Sequence, residues 1–300
     1  MQTTFNFLKS VSLVKYETPF IQGLDGFDWN YSPFVSEEQT KTMTKQVFPW
    51  AGLGLPVLRK EGQEAVYDNM AELPAMTMTV YKYNLSWKAT DETLFYSQQN
   101  MGDLLGKAGK SMGANHKYLK GLLIANLTFN DLTSTTVYDG VAVCGTHTTR
   151  SGDTVDNALT AAVLDFDSYW DTWDFFRTSL ISHAGVKYQK MAAYAQAHPS
   201  LRRNWEEIMN SSANPLALQS GVANTSHKVE FVEQLHATSS TAWALYTKEA
   251  KADFRVYVAK APYYKMDRDE DHEVTKYRSW QWLGMLPVDF PNVVYNPGAS

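Results

Sequence analysis

One cysteine, Cys144, is all the sulfhydryl chemistry the 300 residues contain. A lone thiol excludes an intramolecular disulfide framework and fits a reducing compartment. Long apolar runs are missing as well. No segment approaches the roughly eighteen uninterrupted apolar residues of a membrane span, and in "MQTTFNFLKSVSLVKYE" Lys9 and Lys15 break the run a signal peptide would need. The sequons at Asn84 and Asn126 are therefore expected to stay unmodified, and the chain reads as soluble and cytosolic. Basic charge is in short supply: a net charge of −5 argues against a dedicated DNA clamp, which needs a basic groove to neutralise phosphates. Proximity to nucleic acid without a grip on it remains compatible with that balance.

Familiar catalytic signatures are absent too. There is no His-Glu-x-x-His, no G-x-S-x-G and no Gly-rich phosphate loop. "GKAGKS", Gly106 to Ser111, lacks the spacer of a Walker loop and lies inside a helical pattern instead of after a strand. Cys144-x-x-His147 would open a zinc site, but no second Cys/His pair follows at suitable spacing. Asp165, Asp167, Asp171 and Asp174 would be the paired acids of a carboxylate-based hydrolase; three of them sit near a helix start, where unpaired backbone N–H groups stabilise acids. No cofactor is implied.

What the chain does have is aromatic surface. Composition is that of a globular protein, 44% hydrophobic and 20% charged, with 13% aromatic residues. Rings contribute most where extensive surface is buried, in cores or between subunits. Residues 1–45 show little periodicity, as an arm packed on something else would, or as an ordinary irregular segment would. "FPWAGLGLPVLRKEGQEAVYDN" is rich in turn residues and carries a charged tip at Arg59, Lys60 and Glu61. In "AMTMTVYKYNLSWK" the apolar set moves from Met76, Met78 and Val80 to Tyr81, Tyr83, Leu85 and Trp87, the phase change of a bulge or strong twist. As a single strand it would reach roughly 45 Å at about 3.3 Å per residue, more than a compact domain needs, and so predicts a hairpin arm.

A helical stripe follows over residues 91–127, with Gly102, Gly106, Gly109 and Gly113 on one side. Each interior glycine costs about 1 kcal/mol against alanine, so the set predicts another backbone packed there; the alternative is a helix that breaks near Gly113. "STTVYDGVAVCGTHTTRSGD" predicts a β-hairpin turning at Asp139-Gly140. A cap at Asp165 or Asp167 starts an aromatic helix for which Gly185 would suit the end, a short helix follows Pro199, and strands dominate from residue 228.

"APYYKMDRDEDHEVTKYRSWQWLG", Ala261 to Gly284, invites comparison with a calcium loop through Asp267, Asp269 and Asp271. The loop's glycine position holds His272 and its chelating glutamate position holds Arg278, so the stretch reads as a charged turn between strands. In the second strand Val274, Lys276, Arg278, Trp280 and Trp282 share one face. That mixture suits a contact between subunits, where acids such as Asp269 or Glu270 of a neighbour meet the cations, better than a monomer core that leaves two cations unpaired. The alternative is a solvated edge with snorkelling cations.

The order of these segments resembles the major capsid proteins of tailed bacteriophages, especially the Mu-like major head subunits. Asp139, Gly140 and His147 stand where that family has a "DG…LF…H" hairpin. "STAW", Ser240 to Trp243, is similar to the strand before its terminal sheet, and Arg278, Gly284 and Pro287 to its paired C-terminal strands. The chain departs after the aromatic helix, where "VKYQKMAAYAQAHPSL" replaces a proline-rich strand. The resemblance implies an α+β, Hong Kong 97-type fold: an N-terminal arm (1–45), an extended hairpin loop (46–90), a peripheral domain with a spine helix (91–139), an axial domain (140–262), and peripheral C-terminal strands (263–300). It implies hexamers and pentamers in an icosahedral shell around double-stranded DNA contacted non-specifically, with portal and scaffolding proteins, a possible decoration protein, and no membrane. Scaffolding is expected from a separate protein or a removed segment. An encapsulin-type nanocompartment would share the fold. Arg59, Lys60, Glu61, Asp269, Glu270, Lys276, Arg278, Trp280 and Trp282 are the expected contact residues between subunits.

Overall fold

The computed structural model describes residues 16–25, 31–53, 64, 67–68, 71–94, 104–187, 189–210, 228–269 and 271–299. Helix α1 (16–25) opens the described chain. Strands β1 (Ser36–Gln39), β2 (Thr44–Val47), β3 (Trp50–Ala51), β4 (Ala71–Glu72), β5 (Met76–Thr79) and β6 (Tyr81–Thr90) follow. β2 pairs antiparallel with β5, and β3 with β4, forming a two-stranded ribbon.

The long strand expected over 75–88 is two strands in two sheets. β5 pairs with β2, whereas β6 pairs with a C-terminal strand. Between them Val80 donates its N–H to the Met43 carbonyl. The side-chain phase changes at this handover: Met78 and Val80 are buried on one side of it, and Tyr83, Leu85, Trp87 and Ala89 turn inward on the other.

Helix α2 (Leu104–Ala125) runs unbroken through Gly113 and continues as a π-helical turn, Asn126–Asn130. The residues its glycines admit are those of α1. A β-carbon on Gly109 would stand 2.8 Å from the Tyr16 carbonyl oxygen, and one on Gly113 would stand 2.1 Å from that of Phe20. The reciprocal contact is Gly23, where a β-carbon would meet the Lys110 carbonyl at 2.1 Å. The N-terminal segment is thus a helix packed on its own chain, at least over 16–25, and not an irregular arm there. Gly102 lies outside the described residues.

The expected hairpin at Asp139-Gly140 is reduced to one bridge, Thr136 to Ala142, around Gly140 at φ 78°. A second small hairpin follows, β7 (Thr146–Thr148) with β8 (Thr154–Asp156). Helix α3 (Phe166–Thr178) begins in a capping box: the Asp165 side chain accepts from the Ser168 N–H and the Ser168 side chain from the Asp165 N–H. It stops at Thr178, well before Gly185, which instead occupies a later turn at φ 79°. A strand, β9 (Ala192–Ala197), does form in the segment that departs from the family pattern. Helix α4 (Arg202–Asn210), β10 (Glu230–Glu233), β11 (Trp243–Thr247), the short helix α5 (Ala250–Asp253), β12 (Phe254–Asp269), β13 (Val274–Pro287) and β14 (Val293–Asn296) complete the order.

Two four-stranded sheets organise these elements, one in the order β1-β12-β13-β6 and one in the order β10-β9-β11-β14. The second carries the main core. Every residue of β11 is buried, beneath rings such as Trp173 and Phe176 of α3 and Trp205 of α4. Each such side chain contributes about 1.5–3 kcal/mol by leaving water. The first sheet is one-sided. Thr275, Tyr277, Ser279, Gln281 and Leu283 of β13 are buried, and alternate residues are half-exposed. Tyr16 and Phe20 of α1 and Leu105 and Met112 of α2 cover the buried side around Tyr277. Among the described residues no helix is long and apolar enough to cross a membrane.

Candidate subunit interface

β13 is anchored from behind before it presents anything in front. The Tyr277 ring stacks on Trp87 at 4.7 Å and lies 4.9 Å from Tyr16. Ser279 Oγ donates to the Leu85 carbonyl at 3.2 Å, which leaves its lone pair for His116 Nε2 at 2.6 Å. Gln281 Nε2 donates to the His116 carbonyl at 3.1 Å. Burial holds the His116 imidazole below its ordinary pKa, so the neutral ring is the form that fits. Gly284 sits where β5 crosses: a β-carbon there would stand 2.9 Å from the Thr79 carbonyl oxygen and against the Met78 sulfur. The resemblance therefore singled out a glycine whose missing side chain lets the ribbon join the sheet.

The opposite face carries Lys276, Arg278, Trp280 and Trp282, all half-exposed and on one side as their spacing predicts. β6 extends it with Lys82, Asn84, Ser86 and Lys88, register partners of Trp282, Trp280, Arg278 and Lys276 respectively. β12 adds Tyr263, whose ring lies 5.2 Å from Trp280, and Lys265, opposite Arg278. Lys82 Nζ stands 5.1 Å from the Trp280 ring and 5.8 Å from Trp282. That position keeps its charge in water while covering part of both rings.

The cations are not left without acids in the isolated chain, contrary to expectation. Lys276 Nζ donates to Asp269 Oδ2 at 2.7 Å, and Arg278 reaches Asp267 at 3.8 Å. The Lys276 ammonium, and then His272 beside it, hold the Asp269 carboxyl down at about 2. The Arg278–Asp267 pair is long and both side chains face solvent, so it stabilises the fold little. Asp269 is thus engaged within its own strand pair. Arg59, Lys60, Glu61 and Glu270 lie outside the described residues.

A second exposed surface escaped the sequence reading. Met43, Phe48, Trp50, Leu53, Tyr67 and Tyr81 are all exposed large hydrophobic residues, and they cluster on the ribbon and its roots. Scattered exposed apolar residues are ordinary; a group concentrated along one two-stranded ribbon is a candidate contact surface. "FPWAGL" carried that signal as aromatic residues in a turn-rich stretch; what it lacked was any mark of which face they take.

The remaining motifs are structural. His147 Nδ1 bonds Asp139 Oδ2 at 2.8 Å, and its ring stacks on Phe290 at 3.7 Å, locking the Asp-Gly turn to the C-terminal segment. Cys144 is fully buried, which pushes its thiol pKa up and leaves it inert. Asp165 spends its carboxylate on the helix cap.

No family model and no curated protein matches the sequence. Solved structures match the fold nearly end to end. A structure of Microbacterium phage Oxtober96 aligns over 91% of this chain and 92% of its own, with a TM-score of 0.57 and 8% identity. The capsid of Myoviridae phage XM1 aligns over 91% and 94%, with a TM-score of 0.55 and 9% identity, and Mycobacterium phage Bobi over 91% and 92%, with 0.55 and 9%. The chain has the α+β fold of phage capsid subunits, the Hong Kong 97 type.

Proposed function

We propose that this chain is the major capsid protein of a tailed bacteriophage, a structural subunit and not an enzyme. It assembles with copies of itself into hexamers and pentamers of an icosahedral shell enclosing double-stranded DNA, so its place is the virion. The observation that carries this reading is the near end-to-end likeness to the capsid of phage XM1. Portal and scaffolding proteins, and a decoration protein where one exists, would be its other partners, with DNA contacted non-specifically. The narrower likeness to Mu-like head subunits rests on the short motifs alone.

Within that reading, the segments are an N-terminal arm, an extended loop built on β2–β5, a peripheral unit of α2 with the first sheet, and an axial unit around the second sheet. We group β6 with the sheet of β12 and β13, and β14 with the sheet of β9 and β11, because they pair there. The Trp280/Trp282 face and the apolar ribbon contact neighbouring subunits; Lys60 and its charged neighbours in sequence would join them.

Expression of the chain with a companion scaffolding protein should give closed shells in negative-stain micrographs. Only discrete soluble subunits under those conditions would overturn the function. Arg278→Glu should abolish shells while leaving unfolding within about 0.5 kcal/mol of wild type, the usual range for an exposed substitution. Normal shell yields from that variant would remove the β13 face from the contacts and leave the function standing.

A further inference from the structure

Helix α2 contains no acid. Its sequence, "LLGKAGKSMGANHKYLKGLLIA", holds four lysines and neither aspartate nor glutamate, in a chain whose 32 acids outnumber its 27 lysines and arginines. Lys120 is engaged within the fold: its Nζ donates to Glu37 at 2.6 Å and lies 5.3 Å from the Tyr31 ring. Lys107, Lys110 and Lys117 are not so engaged. Lys107 and Lys110 are exposed and Lys117 half-exposed, and among the described residues none of the three forms an ion pair, not even with Glu17 or Asp25 of the adjoining α1. Lys107 and Lys110 are like charges three positions apart, a spacing that works against a helix, and no carboxylate of the described chain offsets it. At 3.6 residues per turn the three lysines share the outward side of α2 with Ser111, Asn115 and Tyr118, all exposed.

We propose that this side of α2 is where the subunit meets the phosphate backbone of the enclosed double-stranded DNA, an assignment that rests on the capsid reading and gives its non-specific DNA contact a place. The chemistry of the surface chooses between polyanions. An acidic protein partner would need an apolar or aromatic anchor seated in a pocket, and Tyr118, the ring on this side, already packs edge-on against His236 at 4.6 Å. A duplex needs cations and hydrogen-bond donors set along a line and no anchor, since phosphate contacts position the partner without reading sequence. Three ammonium groups, the Ser111 hydroxyl and the Asn115 amide supply them. From Lys107 to Lys117 the helix rises about 15 Å at 1.5 Å per residue, over which each DNA strand presents about four phosphates.

The position suits that partner as well. Leu105 and Met112 of α2 cover the buried side of the first sheet around Tyr277, so the lysine side points away from the Trp280/Trp282 face and a duplex here displaces no subunit contact there. Three lysines on one helix are a light touch compared with a basic groove, in keeping with a net charge of −5.

Fluorescence anisotropy of a labelled mixed-sequence duplex with the purified, unassembled full-length chain tests the contact. Wild type should bind at about 50 mM salt and lose roughly forty-fold in affinity by about 200 mM, a slope of about −2.7 in log K against log salt, from 0.9 for each of three phosphates neutralised. The triple variant Lys107→Gln/Lys110→Gln/Lys117→Gln should keep the wild-type thermal midpoint and show a slope near zero. Lys107→Gln alone should lower the slope by about 1, a readout that stands should the triple variant not fold. Lys276→Gln/Arg278→Gln, on the other face, should titrate like wild type. Absence of wild-type binding at the lower salt, or an unchanged slope in the α2 variants, would overturn the proposal. So would loss of slope in Lys276→Gln/Arg278→Gln alone, which would move the DNA to the sheet face. Poly-glutamate bound as tightly as the duplex at equal charge would mean an acidic protein partner and overturn it too. Failure of wild type to form shells with a scaffolding protein would count against the capsid reading and leave these titrations as they are.

Discussion

At Gly113 the helix propensity of a residue and its packing pull in opposite directions. Exchange of glycine for alanine inside an exposed helix gains about 1 kcal/mol. A β-carbon here would sit 2.1 Å from the Phe20 carbonyl and 3.0 Å from the Leu24 N–H, and backbone atoms cannot turn aside as a side chain can. Gly113→Ala should therefore destabilise by about 1–3 kcal/mol, the cost of an overpacked core, or expel α1 altogether. Denaturant midpoints and proteolytic susceptibility of residues 16–25 would report either result. Lys107→Ala, at an exposed position of the same helix, supplies the comparison and should change stability by no more than about 0.5 kcal/mol. A Gly113→Ala protein more stable than wild type would mean that the helices do not touch. The glycine stripe was legible in sequence because several expensive residues shared one face. Its partner was not, since nothing in "YETPFIQGL" states what that segment packs against.

Elements reveal why some of the architecture could be read and some could not. Alternation in β13 was visible from Val274 onward because one face is covered and the other is not. The handover at Val80 showed as a change of phase, and the start of α3 as a capping acid. Sheet order left no such trace. β1 lies parallel to β12 across more than two hundred intervening positions, and β14 leaves β13 to join a different sheet; periodicity reports a strand's faces and never its neighbours. The same blindness hid the hydrogen bonds that Asn292 makes with Lys190 and Asp253, 102 and 39 positions away. The junction of α2 with β13 also carries a pH dependence. His116 has a folded pKa below the ordinary 6.5 because burial disfavours its charged form. Between those two values the unfolded chain binds more protons, so stability is full above about pH 6.5 and declines as pH falls through that value. Asp269, depressed to about 2, adds loss of the same sign only once pH enters the carboxylate range. Thermal midpoints should thus fall between pH 7 and 5.5 in wild type, and fall less in His116→Gln, which keeps a polar group but does not titrate. Equal slopes in both proteins would assign the sensitivity elsewhere, with His236 the next candidate because burial lowers its pKa as well.

For the whole molecule, the informative contrast is between where apolar surface is hidden and where it is left in water. The second sheet and the helix over it turn their rings inward: Trp243 and Tyr246 of β11 and Trp173 and Phe176 of α3 are each 1% exposed or less. The ribbon does the reverse, with Phe48 at 42% and Trp50 at 51%. A two-stranded ribbon with little covering is marginal in water by itself, and an exposed ring contributes little to the stability of the chain that carries it. It contributes a great deal to an interface, where tryptophan is enriched among the residues that dominate binding. Folding and assembly should therefore separate at these positions. The double variant Phe48→Ser/Trp50→Ser is expected to fold with a denaturant midpoint close to wild type, since each exposed change is worth no more than about 0.5 kcal/mol. It should nevertheless yield few or no shells, because truncating a central aromatic contact costs about 2 kcal/mol or more per copy, and a lattice repeats that loss at every equivalent contact. Sedimentation of the expressed variant would show the chain at subunit or small-oligomer size while wild type pellets as particles. If the variant unfolded early, the ribbon would be part of the subunit's own core; if it assembled normally, the ribbon would not be a contact, and the exposed rings would need some partner other than a second copy of the chain.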